Sequence, residues 1–281
     1  MAPALRQMTP GDIPAGLRLC RASRWNQIAR DWEHFLTVNP TGARVLEKDG
    51  QVVGTVTTLR YGPAGWVAMV LVDPAERRQG FGSRLLCAAL DLLADLPSIE
   101  LDATPLGEPI YRSHGFVNVE RISRMTGPAP DTGLPPPSPA VRPMRPSDLP
   151  RVAEWDAGAF GRDRRALLEW LHAGAPEYAW VAEDSGRLTG YGLGRHGFDF
   201  EQLGPICADD TGVAIELAAA CLTGRAGRTF AIDARHLEPG WIAWLESIGF
   251  REQRPFTRMA RNPLPHGDPR RRFATAGPEL G

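Results

Sequence analysis

The segment from Val70 to Leu86 holds the residues whose types and spacing are best suited to chemistry. It reads Val-Leu-Val-Asp-Pro-Ala-Glu-Arg-Arg-Gln-Gly-Phe-Gly-Ser-Arg-Leu-Leu, so an apolar strand ends near Asp73, a loop with two arginines and two glycines follows, and a helix is predicted from Phe81. The backbone N–H groups at the start of a helix lack partners, and the helix dipole adds positive potential there. The pattern therefore predicts a site for phosphate or pyrophosphate.

The side chains of this loop also favour an anion. Gly80 and Gly82 have no side chain, so phosphate oxygens can approach the backbone closely. Arg77 and Arg78 can donate charge-assisted hydrogen bonds, and Ser83 can add a hydroxyl. The loop is not a Walker loop, because no Gly-Lys-Ser/Thr ends it, and it lacks the Gly-x-Gly-x-x-Gly of dinucleotide sites.

Strands and helices must position this loop, and their order can be predicted from the sequence. Periodicity and turn residues indicate mixed α and β structure. Lys48-Asp49-Gly50-Gln51 is a strong signal for a tight hairpin turn. The predicted elements are a strand (Ala4 to Met8), a helix from about Asp12, a helix (Ile28 to Leu36), two hairpin strands (Arg44 to Glu47 and Val52 to Leu59), a strand (Trp66 to Val72), a helix (Phe81 to Leu93), a strand (Ile99 to Ala103), a short helix (Glu108 to Ser113) and a strand (Phe116 to Met125).

The chain repeats itself, which indicates two copies of one fold in tandem. Separated matches occur in the same order and at nearly the same offset. They join Leu5–Pro14 to Val141–Pro150, Ala43–Gly50 to Ala179–Gly186, Gly115-Phe116 to Gly249-Phe250, and Arg124-Met125 to Arg258-Met259. We therefore predict a first domain over residues 1–127, a Pro/Gly-rich linker over 128–140, a second domain over 141–262 and a C-terminal tail over 263–281. The tail can add an edge strand near Phe273 or lack fixed structure, and the sequence leaves both open.

The pattern Arg77-x-x-Gly80-x-Gly82 resembles the acetyl-coenzyme A pyrophosphate loop of the GNAT family of N-acetyltransferases. The likeness extends to Leu-Val-Asp-Pro before the loop, and to Leu101–Thr104 and Tyr111–Phe116 after it, over about 50 residues. The resemblance implies an α+β (mixed α/β) fold of two tandem GNAT-like domains, each a mostly antiparallel sheet flanked by helices. It also implies acetyl-CoA (coenzyme A) as the cofactor.

The same resemblance implies a role for individual residues. The main chain of the strand before the loop would pair with the pantetheine arm and polarise the thioester carbonyl, and the loop amides would hold the pyrophosphate. Thr104 stands where many relatives have a coenzyme-contacting Asn. The cofactor-binding residues implied in this way are Val70, Leu71, Val72, Arg77, Arg78, Gln79, Gly80, Phe81, Gly82, Ser83 and Thr104.

Two residues are candidates for catalysis. Tyr111 matches the family tyrosine that protonates the leaving thiolate, a role that suits a hydroxyl whose ordinary pKa is near about 10; the alternative is a tyrosine packed on the sheet. A base or a water chain must take a proton from the acceptor ammonium. Strand alternation puts Glu100, Asp102 and Thr104 on one face, so Asp102 can face the substrate as that base, or can bond locally at the strand end.

Candidate acceptor-binding residues lie around the first two helices. Trp25, Asn26 and Gln27 come between these helices, where this fold builds part of its acceptor wall, and an exposed aromatic ring beside two amides suits a polar small molecule. Glu33 lies on the second helix with Asp31 and His34, and that helix commonly flanks the acceptor in the family. The alternatives are a core position for Trp25 and ordinary solvated helix positions for the acidic residues.

The second copy lacks the chemistry of the first. At an offset of 136, Arg77, Gly80 and Gly82 align with Val213, Glu216 and Ala218, and at an offset of 134 Tyr111 aligns with Leu245. The chain in this respect resembles bacterial tandem members of the family whose C-terminal GNAT-like domain is degenerate. We expect the second copy not to bind acetyl-CoA productively, and to wall off the acceptor site or stabilise the first domain.

Composition excludes several other classes of function. The net charge is −1 and the two signs are interspersed, which argues against nucleic acid as a partner. No apolar run is long enough for a membrane helix or a secretory signal, and the four cysteines fit no metal or redox spacing, so a reduced cytoplasm is expected. We predict acetyl transfer from acetyl-CoA to a primary amine of a small molecule through a direct ternary complex. The alternatives are a non-catalytic CoA-binding sensor and a protein N-acetyltransferase.

Overall fold

A computed structural model describes residues 3–136, 138, 140–265 and 267–281. Pro137 and Pro139 of the predicted linker, and His266 of the predicted tail, lie outside the described residues. Contacts divide the chain into two compact units. The first unit comprises Met1–Val119 and Arg258–Leu264, and the second comprises Glu120–Thr257 and Pro265–Gly281.

The first unit is a mixed sheet with helices, as predicted. Strands β1 to β4 pair as antiparallel neighbours, and β4 pairs in parallel with β5. Its elements are β1 (Ala4–Gln7), α1 (Ile13–Ala22), α2 (Ala29–Val38), β2 (Ala43–Lys48), β3 (Gln51–Tyr61), β4 (Ala64–Val72), α3 (Phe81–Leu92), β5 (Ser98–Ala103), α4 (Glu108–Ser113) and the start of β6 (Val117–Pro128). The Asp-Gly turn between β2 and β3 is confirmed, with φ of 50° at Asp49 and 78° at Gly50.

The apolar stripe of α3 explains why the first unit holds its glycine loop in place. Leu85, Leu86 and Ala89 are fully buried and pack in one cluster with Val67 of β4 and Leu101 of β5. Burial of a leucine side chain contributes roughly 1.5–3 kcal/mol, so this contact anchors the helix whose first residues follow the loop.

The second unit has the same order of elements. They are the rest of β6, then β7 (Val141–Pro143), α5 (Leu149–Phe160), α6 (Arg165–Gly174), β8 (Trp180–Asp184), β9 (Arg187–Arg195), β10 (Glu201–Ala208), α7 (Thr211–Leu222), β11 (Thr229–Arg235), α8 (Pro239–Ser247), β12 (Arg251–Arg261) and β13 (Arg272–Ala274). Its strands lie in the order β12-β6-β11-β13-β10-β9-β8-β7. Within the predicted tail, Phe273 thus lies in strand β13 between two other strands, and not at the edge of the sheet.

One ion pair is repeated at the start of each copy. Arg6 donates two hydrogen bonds of 2.8 Å to the Asp12 carboxylate, and Arg142 donates two of 2.7 and 2.9 Å to Asp148. In each copy the aspartate also accepts a backbone N–H three residues earlier, and the arginine lowers the pKa of each aspartate to about 2. The repeat is therefore visible in side-chain contacts as well as in the sequence.

The end of the last strand of each copy is grouped with the unit built from the other copy. Arg258 of β12 binds Asp102 of β5 through two hydrogen bonds of 2.8 and 2.9 Å in the first unit. Arg124 of β6 binds Asp233 of β11 through two hydrogen bonds of 2.8 and 2.7 Å in the second unit. The predicted domains are continuous stretches of the chain. The units defined by contacts differ from them because each unit includes the end of the other copy's last strand.

Candidate functional site

A bulge in β4 interrupts the pairing of this strand with β3. Between the pairs Thr57–Ala68 and Thr55–Leu71, β4 has one residue more than β3. Met69 has a φ of 52°, in the left-handed region that a non-glycine residue adopts at a cost. The buried Thr55 hydroxyl donates to the Met69 carbonyl at 2.8 Å. Because bulges redirect a strand, this bond fixes the direction of the residues after Met69.

The parallel pairing of β4 with β5 ends before the bulge. Within the described residues, their parallel pairing covers Ala64–Trp66 against Ser98–Glu100. Leu71 and Val72 lie beyond that pairing and keep β3 as a partner on one edge. The polar backbone groups on their other edge therefore face the gap between β4 and β5, and can pair with an extended ligand.

The gap leads to the glycine loop. Asp73 accepts the Ala75 N–H at 3.1 Å at the start of a 3-10 turn, and Arg18 pairs with the same carboxylate. Arg78 and Gly80 have φ values of 63° and 78°, so the backbone turns sharply before α3 begins at Phe81. The first N–H groups of α3 have no partner within the helix.

These residues fit the diphosphate and pantetheine parts of a coenzyme A molecule. A Cβ built at Gly80 would meet no atom within 4 Å, so this side of the loop is open space. A Cβ built at Gly82 would lie 3.2 Å from the Cδ1 atom of Ile110, which is the end of a flexible side chain. The exposed Arg77 and Arg78 flank the loop, and the Arg77 Nε atom donates to the Val72 carbonyl at 3.2 Å. The site combines an open strand edge, a helix N-terminus and two cations.

Tyr111 lies on α4, next to Ile110. Its ring packs edge-on against Phe116 with centroids 6.0 Å apart. Burial raises the pKa of Tyr111 to about 12, so the hydroxyl keeps its proton at neutral pH. The hydroxyl end of the ring lies near Gly107, where a Cβ would be 3.4 Å from the hydroxyl oxygen. A protonated phenol can act as a proton donor.

Asp102 has contacts that do not favour its predicted role as a base. Its side chain is 1% exposed, and both oxygens accept hydrogen bonds from Arg258, whose guanidinium lies 4.8 Å from the centroid of the Trp66 ring. The equivalent pair, Arg124 and Asp233, recurs in the second unit. A contact kept in both copies favours a structural role for Asp102.

Thr104 takes part in a turn. Its carbonyl accepts the Gly107 and Glu108 N–H groups at 2.9 and 3.0 Å, and its hydroxyl accepts the Gly107 N–H at 3.3 Å. The side chain therefore helps to start α4, the helix that carries Tyr111.

The predicted acceptor residues differ from one another in exposure. Asn26 and Gln27 are buried, and Trp25 is half-buried, whereas an exposed ring was expected. Arg21 donates to the carbonyls of Trp25 and Gln27, which fixes this connection between α1 and α2. The Gln27 Oε1 atom is buried without a hydrogen-bond partner among the described residues.

The candidate acceptor-binding residues on α2 also differ from one another in exposure. Glu33 is exposed, and His34 is buried. Asp31 accepts the Ile28 N–H at 2.7 Å, so its carboxylate caps the start of α2.

The glycine loop is missing from the second unit. Only Asp209 and Asp210 separate the end of β10 from the start of α7. The predicted alignment of the loop with Val213 and Glu216 is therefore wrong in register, because both residues lie inside α7. The Asp210 carboxylate accepts the Val213 N–H at 3.0 Å, so an acidic side chain stands at this helix N-terminus.

The predicted alignment of Tyr111 with Leu245 is confirmed. Phe116 N–H donates to the Tyr111 carbonyl at 3.2 Å, and Phe250 N–H donates to the Leu245 carbonyl at 3.0 Å. The second unit thus has an apolar side chain where the first has a phenol.

Sequence reasoning did not identify Thr55, Met69 or Arg258. Thr55 and Met69 carry no motif. The repeated Arg-Met dipeptide that contains Arg258 was a usable signal, since a charged residue kept in two apolar strands indicates a buried partner.

Comparison with known proteins places both copies in one family. Two models of an acetyltransferase (GNAT) domain match residues 32–118 and 152–273. The chain is 28% identical over 268 residues to holothin acyltransferase of Pseudoalteromonas sp. (strain SANK 73390), covering 92% of this chain and 88% of that protein. It is 24% identical over 211 residues to the uncharacterized N-acetyltransferase YitH of Bacillus subtilis (strain 168), covering 75% of each.

Solved structures share the fold. A protein of Pyrococcus horikoshii assigned as an acetyltransferase aligns with a TM-score of 0.83 at 21% identity, over 100% of this chain and 96% of its own. A tandem GNAT protein from the clavulanic acid biosynthesis pathway aligns with a TM-score of 0.68 at 14% identity, over 94% and 100%. In the part of the chain that the structure describes, no helix is long and apolar enough to cross a membrane. The chain belongs to the GNAT family of acetyltransferases and carries two GNAT domains in tandem.

Proposed function

We propose that the first unit transfers the acetyl group of acetyl-CoA to a primary amine of a small molecule, in a direct ternary complex. The observation that carries this proposal is the gap between β4 and β5, which opens beyond Trp66, passes the Met69 bulge and leads to the N-terminus of α3. Bound acetyl-CoA would supply a thioester as the acetyl donor.

The chain's own backbone would bind and polarise that donor. The edge of β4 at Val70, Leu71 and Val72 pairs with the pantetheine arm, and an N–H near Val70 donates to the thioester carbonyl. The amides of residues 78–83 and the dipole of α3 hold the diphosphate, with Arg77 and Arg78 adding positive charge. Developing negative charge on the carbonyl oxygen is stabilised by such a fixed donor.

Tyr111 would act as the acid. The acceptor ammonium would lose one proton to water before the nitrogen bonds to the acetyl carbon, and a second proton to solvent as the carbon–sulfur bond breaks. Tyr111 would give its proton to the sulfur that leaves and would regain one from solvent. The phenol is protonated at neutral pH even at the ordinary tyrosine pKa of about 10, and burial raises the pKa of Tyr111 to about 12.

A small-molecule acceptor is supported by the likeness to holothin acyltransferase over 92% of the chain. A protein acceptor is the competing case, and a screen for thiol release with small amines and with peptides decides between them.

Gly82→Glu tests the location of the site. The substitution puts a carboxylate at the second residue of α3, where it repels the diphosphate, and we expect loss of acetyl-CoA binding in calorimetry. Gly82→Ala is the control for size. Gly212→Glu is the matched control for charge, because Gly212 is the second residue of α7 in the second unit. Equal loss in Gly82→Glu and Gly212→Glu, or in neither, would overturn the proposal.

A further inference from the structure

Strand β13 fills a gap between two strands of the second unit. β10 and β11 pair in parallel over Glu201–Leu203 and Phe230–Ile232. Beyond that pairing, β13 lies between them: Ala274 pairs with Ile206 of β10 and with Ala234 of β11.

The filled gap is equivalent to the open gap of the first unit. At the offset of 136 that relates the copies, Ile206 and Cys207 correspond to Val70 and Leu71. In the first unit that edge is proposed to pair with the coenzyme. In the second, Cys207 pairs with Arg272 and Ile206 with Ala274, so a stretch of peptide backbone takes the place of the pantetheine arm.

Residues 272–277 and 279–281 are buried, so β13 and the residues after it are built into the fold. Phe273 packs edge-on against Trp241 of α8, with centroids 5.8 Å apart. Thr275 N–H donates to the Asp233 carbonyl at 3.0 Å. Arg195 and Glu279 form an ion pair in which both side chains are nearly inaccessible.

The backbones of Gly204 and Thr275 approach closely, since a Cβ at Gly204 would lie 1.9 Å from the Thr275 carbonyl oxygen. At the end that corresponds to the diphosphate site, a pocket of about 390 Å³ remains beside Asp209, Asp210 and Arg271. The Asp210 carboxylate caps the N-terminus of α7 there, and Asp209 pairs with Arg271 at 3.2 Å, so the helix N-terminus presents an acidic group to any diphosphate.

We propose that residues 272–276 are a built-in ligand of the second unit, which binds this peptide strand in the cleft that would otherwise take a coenzyme. The inference rests on the proposed function only for the location of the coenzyme cleft in the first unit. Its consequence is that the full chain binds one coenzyme A molecule, and that this molecule does not displace residues 272–276.

Hydrogen–deuterium exchange on the full chain, with and without saturating coenzyme A, tests the inference together with calorimetric stoichiometry. We expect the amides of residues 273–276 to be as protected as those of β11, with no change on adding coenzyme A, and one binding site. Rapid exchange of these amides in the free protein would overturn the inference. So would two sites with loss of protection when coenzyme A binds. No binding with intact protection would instead overturn the proposed function and leave this inference standing.

Two variants of the full chain sharpen the test. Ala274→Pro removes a strand N–H and is incompatible with a central strand, so we expect protection of residues 272–276 to fall. Thr275→Val is the matched control, because the Thr275 hydroxyl is buried without a partner among the described residues. If Ala274→Pro does not fold, a protease site is instead inserted between Asn262 and Pro263 of the otherwise unchanged chain. Cleavage of the folded protein then separates the segment that begins at Pro263 from the rest of the chain. The segment should then remain bound through gel filtration, and its release without loss of the second unit's fold would contradict the inference.

Discussion

The hydrogen bond from Thr55 to the Met69 carbonyl should control both stability and catalysis in the first unit. Thr55→Val keeps the shape of the side chain and removes the donor. A buried carbonyl left without its partner costs about 1–3 kcal/mol. Met69 also occupies a left-handed conformation that costs roughly 1–2 kcal/mol for a non-glycine residue, and the lost bond no longer offsets it. We expect the free energy of unfolding to fall by about 1–3 kcal/mol in urea denaturation.

The effect on activity follows from the direction of β4. If the bulge relaxes, the N–H near Val70 no longer points at the thioester carbonyl. Loss of one such donor lowers kcat by about 10²–10³-fold in known enzymes. We therefore expect kcat for thiol release to fall by roughly 10²-fold, with acetyl-CoA binding less affected because the loop at Gly80 is unchanged.

Thr57 offers a matched control on the same strand. Like Thr55 it is fully buried, but its hydroxyl has no hydrogen-bond partner among the described residues. Thr57→Val should therefore leave the free energy of unfolding unchanged or raise it. Equal destabilisation by the two substitutions, or an unchanged kcat in Thr55→Val, would refute the role given to the bulge.

Three further predictions concern single charged or phenolic groups. Arg258→Ala leaves the Asp102 carboxylate buried without this partner and should destabilise the first unit by about 3–5 kcal/mol in denaturant unfolding; an Arg258→Ala/Asp102→Asn double variant should recover part of that loss. Tyr111→Phe should lower kcat by about 10²-fold or more without changing acetyl-CoA affinity. The pH–rate profile up to pH 10 should show no loss from ionisation of Tyr111, because its pKa is about 12; an alkaline limb near pH 9 that disappears in Tyr111→Phe would contradict this. The pKa of Asp148 is lowered to about 2, so its pair with Arg142 stabilises the fold fully above about pH 5, and that contribution is lost as the pH falls toward 2. Asp148→Asn should cost about 1–2 kcal/mol at pH 7 and nothing near pH 2, measured by thermal unfolding.

Local patterns in the sequence predicted most of the elements. Apolar periodicity gave α3 and β5 nearly to the residue, and Asp49-Gly50 marked its hairpin, because these signals depend on neighbours along the chain. The bulge at Met69 was not predictable in this way. The run from Trp66 to Val72 is uniformly apolar, and nothing in it marks the residue that leaves the ladder.

Partners distant in sequence were harder to predict. Periodicity shows that Phe116 to Met125 forms a strand, but it does not say which strand it pairs with. Alternation put Asp102 on the face expected for a base, and only the three-dimensional structure shows that Arg258 already binds it. A constant offset between the copies correctly aligned Leu245 with Tyr111. The same kind of offset misaligned the residues of α7, because the loop before α7 is shorter than the glycine loop before α3.

The second copy contributes residues to the first unit although it lacks the glycine loop. Strand β13 lies between β10 and β11 in that copy, and Leu245 takes the place of Tyr111. Its last strand nevertheless supplies Arg258 to the buried carboxylate of Asp102, and Met259 to the core that holds α3. A chain restricted to residues 1–127 would leave that carboxylate without Arg258 and the core without Met259. The first domain therefore depends on the second for its own packing, whatever the second does with the acceptor.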